Sequence, residues 1–315
     1  MSKAHISCLD TIHEDTNITF DDTPEPALES MNYTIRLLID CPDHKGIIAA
    51  VSSFIALHNG NILSADQYVS DSPEARFYMR LEIESGGFGL GREEFDAAFT
   101  PLARQHGMSW RVSYSDRPKR MAILVSKLGH CLIDLLWRWE AGELDAQIPL
   151  VISNHADLEK NTVAHGVSFH HLPIDAATKH EQEQRITTLL CDHGIDLVVL
   201  ARYMRILSPE FLDSYRRPII NIHHSFLPAF IGANPYRQAH ERGVKIIGAT
   251  AHYVTAELDA GPILHQGVAH VSHRDGVEDM VRIGREVERR VLAQAVRWHL
   301  EDRVLTDGVR TVIFE

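Results

Sequence analysis

The sequence predicts an α/β protein in two parts, a small ferredoxin-like unit followed by a larger unit on a mostly parallel sheet. Three observations carry this. Between residues 32 and 115, strand-like and helix-like patterns alternate in the order βαββαβ. Beyond residue 120 the strands become continuous apolar runs separated by amphipathic helices, the pattern of a sheet covered on both faces. The length of 315 residues suits two domains of ordinary size.

The elements follow in order. Residues 1–31 read as a flexible acidic tail: seven carboxylates lie between Asp10 and Glu29, with too few large apolar groups to offset ordering entropy. In residues 32–115, the strand-like run Tyr33 to Asp40 leads through the turn Cys41-Pro-Asp-His-Lys-Gly46 to Ile47, Val51, Phe54 and Ile55, which recur at helical spacing. Asn59-Gly60 ends that helix with residues that tolerate a left-handed backbone. Ile62 to Val69 and Phe77 to Ile83 read as strands, Glu93 to Gln105 as a helix, and Ser109 to Tyr114 as a last strand. The polar, proline-containing 116–120 is the expected linker.

Residues 121–315 form the second expected domain. Met121 to Val125, Ile148 to Ile152, Asp196 to Ala201 and Pro218 to His223 are apolar strands. Thr178 with Glu181 suggests a capping box, and Ser208-Pro209 an N-cap with first-turn proline. Met280 through Trp298 reads as one long amphipathic helix, with the chain ending directly after it. No internal repeat stands out.

Composition excludes several classes. A net charge of −12 is the wrong sign for a nucleic-acid footprint or for an anionic membrane surface. No apolar run approaches the ~20 residues that span a bilayer, and the N-terminus lacks the apolar core of a secretory signal. Cys8, Cys41, Cys131 and Cys191 lie far apart without metal-ligand spacing, so four reduced thiols and a cytoplasmic location are the expectation.

In sheets of this kind ligands sit beyond the carboxyl ends of the strands. Two clusters stand there. In the first, Asn221 and His223 alternate along a strand and share a face before a Pro/Gly-rich loop. An Asn donor beside a His donor can stabilise an oxyanion growing on a carbonyl under attack. In the second, Thr250 and His252 share a strand face, and Asp259 sits in a turn closed by Gly261-Pro262. A turn aspartate commonly caps a nearby N–H, whereas one beside His223 could position water and move protons. His223 and His224 point to opposite faces of a continuing strand and no Cys-x-x-Cys or His-Glu-x-x-His is present, so no metal site is expected. The turn Ser126-Lys-Leu-Gly129 lacks every nucleotide-binding glycine pattern. In the first unit, Asp43, Lys45 and Gly46 lie between strand and helix, where backbone N–H groups could hold a small carboxylate.

Asn221-Ile-His223, Ser225-Phe-Leu-Pro228, Thr250-Ala-His252 and Asp259-Ala-Gly261 together resemble the formyltetrahydrofolate-dependent formyltransferases, over about residues 119–315. Met204-Arg-Ile-Leu207-Ser-Pro209 resembles their pteridine-facing segment, and residues 32–115 resemble an ACT regulatory domain. An ACT domain ahead of a Rossmann-like formyltransferase domain is the arrangement of the formyltetrahydrofolate deformylase family. The resemblance implies hydrolysis of 10-formyltetrahydrofolate to formate and tetrahydrofolate, supplying formate for purine biosynthesis and balancing one-carbon pools, without metal or nucleotide cofactor. It implies Asn221 and His223 as oxyanion donors and Asp259 as proton shuttle. Arg205, Ile206, Leu207, His252 and Val254 become the expected substrate lining, and Asp43, Lys45 and Gly46 an amino-acid effector site in a homo-oligomer. The alternatives are a formyltransferase to an amine such as glycinamide ribonucleotide, whose glycine/serine-rich phosphate loop Ser126-Lys-Leu-Gly-His130 departs from, and a non-catalytic folate or amino-acid sensor. The net acidity and the end at Glu315 count against the tRNA-formylating relatives.

Overall fold

The computed structural model describes residues 33–175, 178–227 and 235–315. The expected tail 1–31, and residues 228–234 of the loop after His223, lie outside the described residues.

The first unit comprises β1 (Thr34–Pro42), α1 (Ile47–Leu57), β2 (Asn61–Val69), β3 (Arg76–Glu84), α2 (Arg92–His106) and β4 (Ser109–Tyr114). The strands form an antiparallel sheet in the order β2-β3-β1-β4, the βαββαβ arrangement that the pattern predicts. Alternation along β1 turns Ile35, Leu37 and Ile39 toward the helices, where they meet Val51 and Ile55 of α1 and Phe95 and Phe99 of α2. Aromatic edges knit this core: Phe99 packs on Phe54 at 5.1 Å and on Trp110 at 4.9 Å, both near perpendicular. α1 ends as its sequence implies, with Asn59 at φ 57 and the Gly60 N–H donating to the Ile55 carbonyl at 2.9 Å.

The second unit follows with β5 (Lys119–Val125), α3 (His130–Glu140), β6 (Ala146–Ser153), α4 (Glu159–Ala164), β7 (Ser168–His171), α5 (Lys179–Asp192), β8 (Leu197–Leu200), α6 (Pro209–Tyr215), β9 (Ile219–His223), α7 (Pro235–Glu241), β10 (Ile246–Tyr253), β11 (Ile263–His270) and α8 (Val277–Leu300). Its seven strands order as β11-β10-β9-β8-β5-β6-β7. The five strands from β9 to β7 are parallel, and β10 and β11 run antiparallel on one edge. α8 packs on β9, β10 and β11 and on α3.

Three local expectations meet different outcomes. Ser208 caps α6, its hydroxyl accepting from the Phe211 N–H at 3.1 Å, with Pro209 in the first turn. Thr178 makes no capping bond; its hydroxyl oxygen accepts instead from the Asp175 N–H at 3.1 Å while its proton goes to the Asp175 carboxylate at 2.9 Å. Cys41 and Cys131 are free and buried, and Cys8 lies outside the described residues.

The chain does not stop at α8. Asp302, in the left-handed region at φ 53, turns it into a hairpin of β12 (Val304–Asp307) and β13 (Arg310–Ile313). Asp302–Leu305 and Val312–Glu315 belong to the first unit and Thr306–Thr311 to the second. Leu305 and Phe314 cover Leu38 and Tyr78, on the face of the first sheet that the helices leave bare. Ser113 donates to the Asp302 carboxylate at 2.7 Å, and fully buried Arg80 donates to its carbonyl at 2.9 Å.

Candidate active site

The polar group at the sheet's carboxyl end starts from strand geometry. In β9, Ile220 and Ile222 take one face and Asn221 and His223 the other. β10 lies antiparallel beside it, with Thr250 opposite His223 and His252 opposite Asn221. Directly opposed residues share a face, so four polar side chains meet on one side of two strands. Thr250 is fully buried and structural: its hydroxyl donates to the Ser225 carbonyl at 3.0 Å and accepts from the Leu227 N–H at 3.1 Å. It thereby fixes the chain leaving His223.

Asp259 reaches this group from the β10–β11 loop, its backbone in the left-handed region at φ 55. Its carboxylate oxygens lie 3.3 Å from His223 Nδ1 and 3.6 Å from His252 Nε2. Gly261 makes the loop closure feasible. A Cβ there would stand 1.8 Å from the Tyr253 carbonyl oxygen, and the Tyr253 N–H donates to the Pro262 carbonyl at 2.9 Å. The spacing Asp-x-Gly is thus a steric requirement of the loop.

His252 links the two halves. Its Nδ1 lies 2.9 Å from the Tyr253 carbonyl, which assigns the proton to that nitrogen. Its Nε2 then accepts from Asn221 Nδ2 at 3.3 Å in the neutral ring and faces Asp259 when protonated. Asp259 is held well below the ordinary carboxylate range, first by hydrogen bonding with His223 and then with His252, against a smaller opposing effect of burial. Asp259 is therefore an anion in the unliganded site.

The 204–207 segment follows β8. The Met204 N–H donates to Ser126 Oγ at 3.0 Å, and that hydroxyl donates to Asn154 at 2.7 Å. Met204 and Ile206 expose 58% and 62% of their surface, whereas Leu207 is buried in a cluster against which Val254 also packs. Arg205 donates to the Ile174 carbonyl at 3.1 Å. The structure thus brings Leu207 and Val254 together, and leaves Met204 and Ile206 as the uncovered apolar groups of that segment.

A second cluster lies outside the residues the sequence pointed to. Glu288, 1% exposed at the centre of α8, accepts from His130 Nε2 and from the Tyr236 hydroxyl, each at 2.8 Å. Arg202 Nε lies 3.5 Å from the same carboxylate. Burial pushes the Glu288 carboxyl up, but the His130 hydrogen bond and the Arg202 charge outweigh it, and the net displacement is downward. His224 lies beside this cluster, its ring 6.4 Å from Tyr236 and 5.3 Å from His223. Burial, then the Arg202 charge, pushes His224 down to about 4, so it is neutral at physiological pH. His130, Cys131 and Glu288 are close enough to hold a metal ion. Burial holds the Cys131 thiol protonated and both Glu288 oxygens already accept hydrogen bonds, so this donor set suits an ionic network better than a cation.

In the first unit, Asp43, Lys45 and Gly46 line one cavity of about 610 Å³ together with Ile47, Tyr68 and Phe77. Gly46 precedes α1 at φ 97, a conformation that favours glycine.

Comparison with known proteins places this geometry. Residues 119–296 match the formyl transferase family model and residues 35–87 the ACT domain model. A formyltetrahydrofolate deformylase from Synechocystis sp. is 52% identical over 283 residues, covering 90% of this chain and 99% of that protein. The crystal structure of a formyltetrahydrofolate deformylase from Pseudomonas syringae pv. tomato superposes with a TM-score of 0.88 at 48% identity, over 91% of this chain and 96% of that one. The chain belongs to the formyltetrahydrofolate deformylase family. Its first unit is an ACT domain and its second a formyltransferase domain with a mostly parallel sheet. A glycinamide ribonucleotide transformylase from Symbiobacterium toebii is more distant, with a TM-score of 0.59 and 34% identity over 63% of this chain and 95% of that one.

Within the deformylase fold, the expected trio Asn221, His223 and Asp259 is brought together, with His252 bridging it. Sequence reading missed Arg202, Glu288, His130, Tyr236 and His224. The signal for Glu288 was a carboxylate on the apolar stripe of α8, one turn after Gly284 and one before Leu292.

Proposed function

We propose that this protein hydrolyses 10-formyltetrahydrofolate to formate and tetrahydrofolate at the Asn221–His223–Asp259 site. The observation that supports it most is the anionic Asp259 held against His223 beside the Asn221 amide, which His252 orients, in a chain that shares half its residues with named deformylases. The Asn221 amide and the Nε2 edge of the His223 ring face the developing oxyanion, with Asp259 3.3 Å from Nδ1 fixing the ring's orientation. Asp259 accepts a proton from the attacking water and passes it toward N10. Its low proton affinity makes the hold transient, and folate covering the site raises that affinity by excluding water. The new bond joins water oxygen to the formyl carbon, and the C–N10 bond breaks with its electron pair left on nitrogen.

The pteridine fits against the 204–207 segment, Val254 and His252, with Met204 and Ile206 supplying apolar surface. The three polar side chains supply donors and proton relay themselves, so the reading needs no metal or nucleotide. The ACT cavity takes a small amino-acid effector on Asp43, Lys45 and Gly46, in a homo-oligomer. The formate released serves purine synthesis in the cytoplasm. Among the described residues no helix is long and apolar enough to cross a membrane.

The test is formate release from 10-formyltetrahydrofolate, with and without glycinamide ribonucleotide. Formate without acceptor, abolished in Asp259→Asn, supports the hydrolase. Product only with the acceptor makes this a transferase. Folate binding without turnover makes it a sensor.

A further inference from the structure

Arg202 is a long side chain where the backbone favours glycine. It lies just past β8 at φ 64, and its carbonyl accepts from the Ser126 N–H at 3.3 Å. An ordinary residue held in this region is strained, and such strain persists where the side chain has a task. The task is visible in what surrounds it. The guanidinium is 90% covered and pairs with Glu288, which His130 and Tyr236 already hold from two other directions.

The position of this cluster matters more than its strength. His130 opens α3 directly after the turn that follows β5, Arg202 follows β8, and His224 follows β9. The cluster therefore fills the carboxyl ends of three adjacent parallel strands, the crevice where this class of sheet receives ligands. It does so beside His223, through the His224 ring. The backbone is adapted to it as well. Gly284 lies one turn before Glu288, and a Cβ there would stand 2.0 Å from the Tyr236 hydroxyl oxygen. Only glycine lets Tyr236 cross α8 to reach the carboxylate.

A hydrolase on a fold shared with a transformylase must admit water to the formyl carbon and keep amines from it. We propose that Arg202, anchored on Glu288, occupies the place an amine acceptor would take, and so reserves the reaction for water. This rests on the hydrolase reading above. In the normal reaction water oxygen bonds to the formyl carbon, and N10 keeps the electron pair of the broken C–N bond and takes a proton. With Arg202 removed, an amine nitrogen forms the new bond in the same step, loses its proton through Asp259, and leaves as a formamide. No oxidant or reductant enters.

The experiment partitions the formyl group. The full-length protein is given 10-formyltetrahydrofolate with excess glycinamide, and formate and N-formylglycinamide are quantified by mass spectrometry. Wild type should give formate almost alone. Arg202→Gly relieves the backbone strain and leaves Glu288 with two partners, and it should raise the ratio of N-formylglycinamide to formate at least tenfold. Arg202→Ala, a second route should the glycine variant fold poorly, should raise it similarly. Arg202→Lys keeps a long cation in place and should keep the wild-type ratio. A folded Arg202→Gly or Arg202→Ala with an unchanged ratio overturns the proposal, as does an equal rise in Arg202→Lys. Absence of formate from wild type is a different failure, that of the hydrolase reading itself.

Discussion

The β10–β11 loop and helix α8 each deliver a carboxylate to basic partners, and both carboxyls are held below their ordinary range. Asp259 stands on a loop, its side chain 16% exposed, with two imidazoles at 3.3 and 3.6 Å that leave its lone pairs incompletely used. Glu288 stands mid-helix at 1% exposure, both oxygens taken at 2.8 Å and a guanidinium alongside. The first can exchange a proton with whatever enters the site. The second has no vacancy and no access. The difference teaches that a depressed carboxyl signals chemistry only when its partners leave room for a reactant.

The strongest way to break this contrast is Asp259→Asn. It keeps shape and removes the anion, so kcat should fall by about 10²–10⁴, the usual worth of a positioned acid–base group, while the circular dichroism spectrum stays that of the folded wild type. A folded variant within tenfold of wild type would remove Asp259 from the mechanism. Next is Asn221→Ala, where losing an oxyanion donor should lower kcat by roughly 10²–10³ with KM nearly unchanged. A rise confined to KM would make Asn221 a binding group only. Glu288→Ala sharpens the other side. It leaves the largely buried Arg202 without its anion, and breaking such a pair costs about 3–5 kcal/mol. Denaturant midpoints should show that loss, and a change under 1 kcal/mol would mean the cluster is solvated.

The same contrast explains what could be read from the chain. Alternation in β1 and β9 and helical spacing in α1 and α8 placed the elements, because burial of one face leaves a period in the sequence. Asn221 and His223 were legible because strand geometry alone puts them on one face. Glu288 was not, since a glutamate on a charged helix ordinarily points to water, and only its partners from β8, α3 and α7 justify its burial. The failed cap at Thr178 has a local cause, because the Asp175 N–H takes the hydroxyl oxygen that a cap would use. The terminal hairpin was missed, although Asp307-Gly308 between two short apolar runs is a turn signal, with Gly308 at φ 58. Its packing on Leu38 and Tyr78 could not be read, since those residues sit on the sheet face that alternation assigns to solvent.

The smallest expected effect separates the two regions by pH. A buried imidazole at about 4 is neutral in the folded chain, while the unfolded imidazole titrates near ~6.5. Between those values the unfolded chain binds the extra proton, so His224 makes stability fall as pH drops across that window and has no further effect below it. Asp259 behaves oppositely in range. Its folded carboxyl is depressed, so its contribution is intact above the ordinary carboxylate value near ~4 and is lost only as pH falls further. Denaturant midpoints from pH 7 to pH 3 should therefore fall in two separable stages. His224→Phe should flatten the first relative to wild type and leave the second, and Asp259→Asn should do the reverse. Equal slopes for wild type and His224→Phe between pH 6.5 and pH 4 would show that His224 stays accessible to protons, and that the charge cluster beside it does not exclude water.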